Sequence, residues 1–541
     1  MKITFSFNDK PYQTLDLFGD YLQIPILPVN KAGTLQIQFS LPIIDFHGFW
    51  IPENRVPGSK IFWTIEATSA AQRNFPFLVF FNTAQQNRAS IAVTNVYDDC
   101  RILARMNQEL CTYDLTITLC ISKETEDFDL ILDRRDLPWT RCLEDYRNEL
   151  NIPQQDFPDT AWNPVFCTWY AVHAAITQDW VEKNAAIAAE LGFSTLIIDD
   201  GWCFEPMKRV SPKTISTWYE NIGDWEVAPT KFPDFTAHVR RMQELGISYL
   251  LWVAPFLIGD HSEIYPKIKK TTDESYLEGY HLLNVKHRKD AKQILTKIAS
   301  LMRKYPIDGL KIDFLDQYFP NLNAPRGRDT LAFIAALSAE IRKVKKDALL
   351  EFRQAYATPA MLPYATQFRA GDVPFDFLDN FQRLAQIRIG LGDGVPVHAD
   401  PAYWHPQESP ANIARHMIAS LAGVPMLSME MTRLAEHEQK IIRHWLQFYQ
   451  QHLETFKKGH WKVQYQQSAV SYVSVQTANE RIIILNDERR LSEALNDKAE
   501  TNHILNLSPA TLTLPQCSAW GAAGEITMDG SIPLGGRGCL R

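Results

Sequence analysis

Alternating hydrophobic and polar residues dominate the first part of the chain, up to about residue 137. Seven short β-like segments, several of them with this alternation, lie at 3–7, 34–39, 62–67, 77–81, 91–96, 115–121 and 128–132. Turn-forming stretches such as NKAG and NTAQQN lie between them. A period of two is typical of strands with one buried face. The regular spacing of these strands predicts an antiparallel β-sandwich over residues 1–140.

Two stretches of different composition follow the predicted sandwich. LPWTRCLEDYRNEL has the pattern of a connecting helix, and NIPQQDFPDTAWNP is rich in proline and asparagine. Proline-rich stretches interrupt regular structure and often mark the entry to a new domain. We therefore expect residues 141–163 to be a linker made of a helix and a loop.

Strands and helices alternate over residues 164–454. The candidate strands lie at 165–169, 195–199, 249–255, 309–313, 348–353, 368–372, 395–399 and 425–429. Helical stretches lie between most of them, at 179–191, 236–245, 291–304, 330–345 and 379–391. Eight apolar strands with intervening helices predict a (β/α)₈ TIM barrel. An open doubly wound sheet is the competing architecture, but it normally carries a glycine-rich nucleotide turn that this sequence lacks.

Strand-like alternation returns near the end of the chain. The β-like segments WKVQYQ, SYVSVQ, RIIILN and TLTLP, most of them alternating, predict a small antiparallel β domain over residues 455–541. The predicted fold class is therefore a multidomain α/β protein with a sandwich, a barrel and a C-terminal β domain.

Composition excludes several functional classes. The chain has 55 Lys and Arg against 63 Asp and Glu, a net charge of −8, and no basic cluster that would indicate nucleic-acid binding. It lacks the apolar run of about 18 residues that a membrane span needs. Its eight cysteines form no CxxC pair, and MKITFSFNDKPY has no signal-peptide core. We expect a cytoplasmic protein with reduced thiols; the pattern carries no signal for oligomeric state.

Candidate catalytic side chains come from the ends of the predicted barrel strands, where TIM barrels carry their chemistry. Four strand ends bear such residues: IIDDGW (Asp199, Asp200), LWVAPF (Trp252), GLKIDF (Lys311, Asp313) and FRAGD (Arg369, Asp372). Lys311 and Asp313 are two apart and so share a face. A cation beside Asp313 keeps the carboxylate ionised, as a nucleophile requires. The alternative is a structural ion pair in the barrel floor.

Asp199 and Asp200 are adjacent carboxylates that repel each other unless donors share the site. Vicinal sugar hydroxyls would satisfy them, whereas a turn cap is the structural alternative. A divalent ion held by these two residues with Asp313 and Asp372 is the chemical rival. The 14 histidines include no HxH or HExxH arrangement, which argues against a zinc or binuclear hydrolase but leaves an all-oxygen Mg²⁺ site open; we nevertheless expect no metal and no other cofactor.

These motifs together resemble glycoside hydrolase family 36, the α-galactosidase and melibiase group, in its short bacterial form. The resemblance is specific over about residues 165–400, in WYAVHAAIT, LGFSTLIIDDGW, GDWE with KFPD, LWVAPF, GLKIDFL and RAGDVPFD. It implies that Asp313 is the nucleophile and Asp372 the acid/base. The implied substrate contacts are Asp199 and Asp200 to the 4- and 6-hydroxyls, Lys311 and Arg369 to other hydroxyls, Trp169, Trp202 and Trp252 around the ring, and Trp50 from the first domain. Core packing in the sandwich is the equal alternative for Trp50.

The sequence departs from the family pattern at two places. Arg369 and Asp372 are three apart rather than four, which puts them on opposite faces unless the strand ends or bulges between them. Strand five reads EFRQ, where the family pattern has a small Cys/Gly turn near the 2-hydroxyl of the sugar. Arg353 is expected to contact the sugar there, and a buried Glu351–Arg353 pair is the alternative. A further segment, VHADPAYWH, either lines an outer subsite or packs through its own aromatic residues.

The resemblance implies a retaining exo-α-glycosidase, an α-galactosidase acting on small oligosaccharides such as melibiose or raffinose. In this reading Asp372, close to a second carboxylate, has a raised pKa. One alternative is a glycosidase or transglycosidase of the same clan with another glycone, which EFRQ motivates. The other is a noncatalytic sugar-binding protein, which would have no use for two further strand-end carboxylates.

Overall fold

The computed structural model describes residues 1–27, 31–52, 62–153, 156–203, 205, 219–274, 278–497, 499–527 and 529–540. All the candidate site residues lie within these ranges. Residues 154 and 155 of the expected linker lie outside them. Across the described part of the chain, no helix has both the length and the apolar character needed to span a membrane.

The first region is a sandwich of two antiparallel sheets. Its strands are β1 (Lys2–Phe7), β2 (Lys10–Asp16), β3 (Tyr21–Ile26), β4 (Gly33–Pro42), β5 (Gly48–Trp50), β6 (Thr64–Ser69), β7 (Phe77–Phe81), β8 (Asn87–Val93), β9 (Cys100–Asn107), β10 (Thr112–Ile121) and β11 (Phe128–Asp133). One sheet has the order β2-β1-β4-β10-β9-β6 and the other β3-β11-β8-β7-β5. In β4 the alternation works as predicted, because Leu35, Ile37, Phe39 and Leu41 all point into the core between the sheets.

The central region is an eight-stranded parallel sheet. Its strands are β12 (Val165–Cys167), β13 (Thr195–Ile198), β14 (Ser248–Val253), β17 (Gly309–Ile312), β18 (Leu349–Arg353), β19 (Gln367–Arg369), β20 (Val397–His398) and β21 (Met426–Leu427). A small hairpin of β15 (Leu257–Gly259) and β16 (Tyr280–Leu282) is inserted after β14. All eight predicted barrel strands are present, most of them shorter than predicted.

Hydrogen bonds between the segments around β20 and β21, the seventh and eighth barrel strands, close the sheet into a barrel. The order is β20-β19-β18-β17-β14-β13-β12-β21, so β20 and β21 face each other across the remaining gap. Val424 N donates to Val397 O at 2.7 Å, and Ala402 N donates to Met426 O at 3.0 Å. The TIM-barrel prediction is therefore confirmed.

Helices surround the barrel and connect it to the neighbouring regions. They are α1 (Trp139–Glu149), α2 (Trp169–Val172), α3 (Gln178–Leu191), α4 (Phe235–Glu244), α5 (Tyr265–Ile268), α6 (Arg288–Lys304), α7 (Gly327–Val344), α8 (Phe377–Leu391), α9 (Pro410–Ser420), α10 (Glu436–Gln451), α11 (Leu453–Lys458) and α12 (Leu491–Ala494). The five helices predicted between the barrel strands match α3, α4, α6, α7 and α8, and α1 is the predicted connecting helix.

The last region is a six-stranded sheet with a separate two-stranded pair. The strands are β22 (His460–Gln466), β23 (Ala469–Gln476), β24 (Glu480–Leu485), β25 (Thr501–Asn506), β26 (Leu512–Thr513), β27 (Ser518–Trp520), β28 (Ser531–Ile532) and β29 (Arg537–Leu540). The sheet order is β22-β23-β24-β25-β29-β27. The C-terminal β domain is thus present, but β24 and β25 pair in parallel, so its sheet is mixed rather than wholly antiparallel.

Candidate active site

The candidate site lies on one rim of the barrel, formed by the carboxyl ends of the parallel strands. Asp199 follows β13, Asp313 follows β17, and Arg353 and Arg369 end β18 and β19. Parallel strands bring their carboxyl ends to the same edge of a sheet, so residues distant in sequence meet here. The rim therefore gathers charged side chains from four strands.

Asp313 is almost fully buried and is held by three hydrogen-bond donors and one further cation. Trp252 Nε1 donates to its Oδ2 at 2.9 Å, and Arg353 donates to its Oδ1 at 3.0 Å. The backbone N–H of Phe314 donates to Oδ1 at 2.8 Å from a left-handed conformation (φ 57°). Lys311 Nζ lies 3.7 Å from Oδ2. Both carboxylate oxygens are thus fixed in direction, and a strained backbone position is part of what fixes them.

Lys311 and Asp199 form a buried ion pair beside Asp313. Lys311 Nζ lies 2.5 Å from Asp199 Oδ2, and both side chains are almost inaccessible to solvent. Cys167 Sγ also lies 3.3 Å from Asp199 Oδ2, while Thr168 Oγ1 accepts from the Asp199 backbone N–H. Lys311 therefore reaches both Asp199 and Asp313, as its position on the strand predicts.

Asp200 sits in a turn that only glycine can complete. Its backbone N–H donates to Asp199 Oδ1 at 2.9 Å, which couples the two carboxylates. Gly201 follows with φ 99°, and a Cβ at this position would lie 2.4 Å from Ala174 Cβ. The DDGW motif thus uses its glycine to bring the chain against Ala174 while Asp199 and Asp200 remain at the rim.

Strand β19 ends at Arg369, which explains how Arg369 and Asp372 can contact each other although they are three residues apart. Arg369 donates to Asp372 Oδ1 at 2.9 Å and to Asp400 Oδ1 at 3.1 Å. Because Asp372 lies beyond the end of the strand, the rule of alternating faces no longer applies to it. The buried Arg369 side chain therefore orients Asp372 in this structure, and its contact with a sugar hydroxyl stays a prediction.

Arg353 connects the two candidate catalytic carboxylates. One terminal nitrogen donates to Asp313 Oδ1 at 3.0 Å, and the other donates to Asp372 Oδ2 at 2.7 Å. The alternative pair with Glu351 does not form, since Glu351 Oε2 lies 2.9 Å from His398 Nδ1 instead. A single guanidinium therefore stands between Asp313 and Asp372.

Arg353 and Arg369 also decide the charge state of the site. Burial would raise the pKa of Asp313, but Arg353 and Lys311 outweigh it and lower this pKa. The pKa of Asp372 is likewise lowered, against burial, by Arg353 and Arg369. The expectation of a raised pKa for Asp372 is therefore wrong for this arrangement, because two guanidinium groups face the carboxylate while its side chain stays 47% exposed.

Asp400, two residues beyond β20, forms hydrogen bonds at the candidate site that were not predicted from the sequence, where it belonged only to the VHADPAYWH segment. It accepts from Val373 N at 2.7 Å, from Tyr170 OH at 3.0 Å and from Arg369. Burial, together with the nearby charge of Asp372, raises the pKa of Asp400 to about 7. Asp400 therefore anchors the turn that carries Asp372. Its place at a strand end was the signal that could have identified it.

The other side chains of VHADPAYWH largely follow the packing alternative. His398 and Trp404 are buried, and Trp404 Nε1 donates to Glu438 in α10 at 2.7 Å. His405, by contrast, is exposed. This segment is thus anchored to the barrel by its own buried side chains.

The four candidate tryptophans have different environments. Trp252 is buried and bonds Asp313, and Trp169 is partly exposed at the rim, where its ring packs against His173 at 4.7 Å. Trp202 is fully buried, and its indole N–H donates to Trp252 O at 2.8 Å. Trp50 is 1% exposed and stacks on Trp139. Trp50 therefore follows the core-packing alternative in this structure, whereas the sugar contact of Trp202, which is about as buried as Asp313 and Lys311, stays a prediction.

A polar cavity of about 530 Å³ opens beside Asp372 and Arg353. The sandwich contributes Arg73 and Asn74 to its wall, and the barrel contributes Gln354 and other side chains. Amide and guanidinium groups are hydrogen-bonding partners suited to sugar hydroxyls. The cavity has the size and chemistry of a small-molecule site at a junction of two domains.

Comparisons with known proteins agree on one family. Residues 144–333 match the melibiase family. The bifunctional α-galactosidase/sucrose kinase of Mediterraneibacter gnavus is 22% identical over 81% of this chain and 47% of its own length. Alpha-galactosidase 2 of Pediococcus pentosaceus is 23% identical over 68% of this chain and 51% of its own length. The chain thus spans about half the length of these two curated relatives.

Solved structures share the fold of this chain. A family 36 α-galactosidase of Geobacillus stearothermophilus superposes with a TM-score of 0.64 at 17% identity, covering 88% of this chain and 71% of its own. Variants of that enzyme have been solved with stachyose and with raffinose. An α-galactosidase of Thermus thermophilus superposes with a TM-score of 0.57 at 15% identity, covering 84% of this chain and 98% of its own. The melibiase match, the α-galactosidase relatives and the shared fold make this chain similar to glycoside hydrolase family 36, the α-galactosidase and melibiase group.

Proposed function

We propose that this chain is a retaining exo-α-glycosidase, an α-galactosidase that removes terminal α-galactosyl residues from small oligosaccharides. The observation that carries the proposal is the pair of carboxylates, Asp313 and Asp372, which follow different strands and meet on the guanidinium of Arg353. Retaining hydrolysis needs two carboxyl groups about 5–5.5 Å apart, whereas inversion needs about 6.5–9.5 Å. Because both carboxylates contact the same guanidinium, they lie on either side of a gap that one glycosidic bond could enter, and we propose the retaining spacing for them.

Asp313 acts as the nucleophile in this proposal. Its carboxylate attacks the anomeric carbon as the bond to the leaving oxygen breaks, which gives a covalent glycosyl-enzyme. The lowered pKa keeps Asp313 ionised at neutral pH, and Trp252 and the Phe314 N–H hold one orientation of the carboxylate. A fixed, ionised oxygen is the form that nucleophilic catalysis requires.

Asp372 acts as the general acid and then as the general base. It protonates the leaving oxygen in the first step and takes a proton from the attacking water in the second. In the free site Arg353 and Arg369 keep Asp372 ionised, so it must first gain a proton. We propose that a sugar entering between the two carboxylates separates Arg353 from Asp372. The pKa of Asp372 then rises, and the carboxyl group binds the proton that it later donates.

The remaining rim side chains would bind the glycone. Asp199 and Asp200 offer acceptors to the 4- and 6-hydroxyls, and Lys311 offers a donor beside them. Trp169 is the predicted tryptophan that keeps an exposed surface for the sugar ring. The cavity beside Asp372 would take the next sugar of the chain. Complexes of the Geobacillus relative with raffinose and stachyose support small α-galactosides as the substrate class.

One observation favours a second candidate, a glycosidase of the same clan with another glycone. Arg353 occupies the strand-five position where the family pattern has a small turn near the 2-hydroxyl, and it projects between the carboxylates. A guanidinium there would prefer a sugar with a strong acceptor at that position. The proposed reaction uses only the two carboxyl groups and needs no cofactor. We also propose a cytoplasmic location, supported by eight cysteines that form no disulfide.

A panel of nitrophenyl α-glycosides tests the activity and the glycone together. The proposal predicts fastest hydrolysis of the α-galactoside and loss of that activity in Asp313→Ala. Preference for another α-glycoside would select the second candidate. Sugar binding without hydrolysis of any panel member would show a noncatalytic protein and reject both candidates.

Azide rescue of two variants tests which carboxylate is the nucleophile and which is the general acid/base. With Asp313→Ala, azide should enter from the vacated nucleophile face and give the β-glycosyl azide. With Asp372→Ala, azide should give the α-glycosyl azide, and substrates with good leaving groups should lose less rate than disaccharides. Swapped anomers would reverse the two assignments.

A further inference from the structure

Two histidines and a glutamate form a cluster away from the barrel rim, where α10 meets the C-terminal sheet. His452 follows α10, Glu480 begins β24, and His503 lies in β25. The parallel pairing of β24 with β25 places Glu480 opposite Thr501 and brings His503 beside it. One nitrogen or oxygen from each of the three side chains lies within 4.8 Å of the others.

The distances in the cluster match those between the ligands of one metal ion. Glu480 Oε1 lies 2.9 Å from His452 Nδ1 and 3.3 Å from His503 Nε2. Zinc binds imidazole nitrogen and carboxylate oxygen at about 2.0–2.2 Å, so the ligand atoms of a tetrahedral site stand roughly 3.3 Å apart. Two nitrogens and one oxygen at this spacing leave a fourth position for water.

Unmet hydrogen-bonding capacity at His503 is a second, independent observation. The residue is 6% exposed, and neither ring nitrogen makes an aligned hydrogen bond. Buried polar atoms are nearly always paired in folded proteins. Nε2 approaches Glu480 Oε1 closely but without hydrogen-bond alignment. A cation at this position would satisfy Nε2, whereas Glu480 Oε1 already forms a hydrogen bond with His452 Nδ1 at 2.9 Å.

The carboxylate of Glu480 is oriented for such a role. Thr455 Oγ1 donates a short hydrogen bond to Oε2, which turns Oε1 towards the two imidazoles. Metal-binding carboxylates are commonly held by a hydrogen bond of this kind to the other oxygen. Thr455 belongs to α11, so the orienting group and His452 both come from the helical side of the junction.

Both imidazoles keep a lone pair at neutral pH. Burial lowers the pKa of His452, and burial with the charge of His452 lowers the pKa of His503 to about 4. The guanidinium of Arg537, stacked over Phe448 at 5.4 Å, also disfavours positive charge on both rings. Neutral imidazole is the form that binds a metal ion. The positive charge of Arg537 also weakens the binding of any cation to the cluster. Only a metal ion with a strong affinity for imidazole nitrogen would therefore remain bound.

We propose that His452, Glu480 and His503 bind a Zn²⁺ ion that joins the helical end of the barrel to the C-terminal sheet. Imidazole ligands favour zinc over magnesium or calcium, which take oxygen ligands. The ion would stabilise the junction, since an ion that binds only the folded state adds to its stability. The site is separate from Asp313 and Asp372 and does not depend on the proposed function.

Zn²⁺ titration of the chelator-treated full chain, followed by calorimetry and by the melting temperature, tests the proposal. One Zn²⁺ should bind per chain and raise the melting temperature, and His503→Gln and Glu480→Gln should each abolish both effects. Thr455→Val should weaken binding by about 10- to 100-fold through the lost orientation of the carboxylate. His460→Gln is the matched control, an exposed histidine paired with Asp393, and should bind Zn²⁺ like the unmodified chain.

Cobalt substitution separates this site from the cysteines. Co²⁺ bound by the cluster should give visible absorption without a thiolate charge-transfer band, and this absorption should be lost in Glu480→Gln. A chain that binds no Zn²⁺, binding that survives in both His503→Gln and Glu480→Gln, or a thiolate band would each overturn the proposal. Glycosidase activity of the chelated chain below its melting temperature should be unchanged, so failure here and failure of the proposed function are distinct results.

Discussion

Arg353 donates one hydrogen bond to Asp313 and another to Asp372, so the protonation of both carboxyl groups depends on it. Such a contact could not be predicted from the sequence. The EFRQ motif placed Arg353 at a strand end, but its partners come from the ends of two other strands. Which carboxylates a long side chain reaches depends on the relative positions of strands, and this information is tertiary.

Replacing Arg353 with methionine should move the pH profile of kcat/KM to higher pH. Without the guanidinium the pKa of Asp313 and that of Asp372 both rise, so the acidic and the basic limb shift together. Loss of a charged hydrogen bond should also cost about 1.5–3 kcal/mol of transition-state stabilisation. Arg383→Met, which removes another arginine of the same cavity wall, is the control and should leave the limbs in place. An unshifted profile in Arg353→Met would contradict this account.

Asp400 should make the stability of the fold fall between about pH 4 and pH 7. Its pKa is about 7 in the folded chain against an ordinary 3.8, so the folded state retains a proton that the unfolded chain releases. That stabilisation is complete below pH 4 and is lost as the pH rises through 7. In Asp400→Asn the free energy of unfolding should lack this component, whose slope reaches about 1.4 kcal/mol per pH unit. Urea unfolding of both proteins across this range measures it, and parallel curves would refute the assignment.

At the scale of elements, the sequence predicted all eight barrel strands and the five helices between them, because buried parallel strands and amphipathic helices have distinct periods. The ends of strands were less certain. The sixth strand was expected to reach residue 372 but ends at Arg369. Beyond this end the chain turns, so that the Arg369 side chain can donate a hydrogen bond to Asp372. The pattern also could not show that Trp50 and Trp202 would be covered, since burial of a large ring depends on its neighbours.

The turn after β13 offers a prediction at this scale. Gly201→Ala should be strongly destabilising, because φ 99° disfavours a side chain and the new Cβ would meet Ala174 at 2.4 Å. Gly246→Ala is the matched control, with φ 79° and no atom within 4 Å of the new Cβ, so it should carry only the backbone strain of about 1–2 kcal/mol. Thermal unfolding compares the two. Equal losses of melting temperature would show that the contact with Ala174 is unimportant.

At the scale of the whole molecule, the sandwich supports the barrel rim directly. Asp99 directly precedes β9 of the sandwich. Its carboxylate accepts hydrogen bonds from the backbone N–H groups of Asn321, Arg326 and Gly327, and so caps the first turn of α7. Asp98 pairs with Arg328 in the same turn. These contacts hold the segment between β17 and α7, which follows Asp313. The first region therefore helps to position the segment that carries the proposed nucleophile.

The stereochemistry of the first product tests the central claim most directly. In the proposed mechanism Asp313 and Asp372 act as a retaining pair across the gap that Arg353 spans. NMR spectra recorded during early hydrolysis of the best α-glycoside should show the α-anomer of the released sugar first, with the β-anomer appearing only by later mutarotation. A β-configured first product would show inversion and contradict both the mechanism and the assignment of Asp313 as nucleophile.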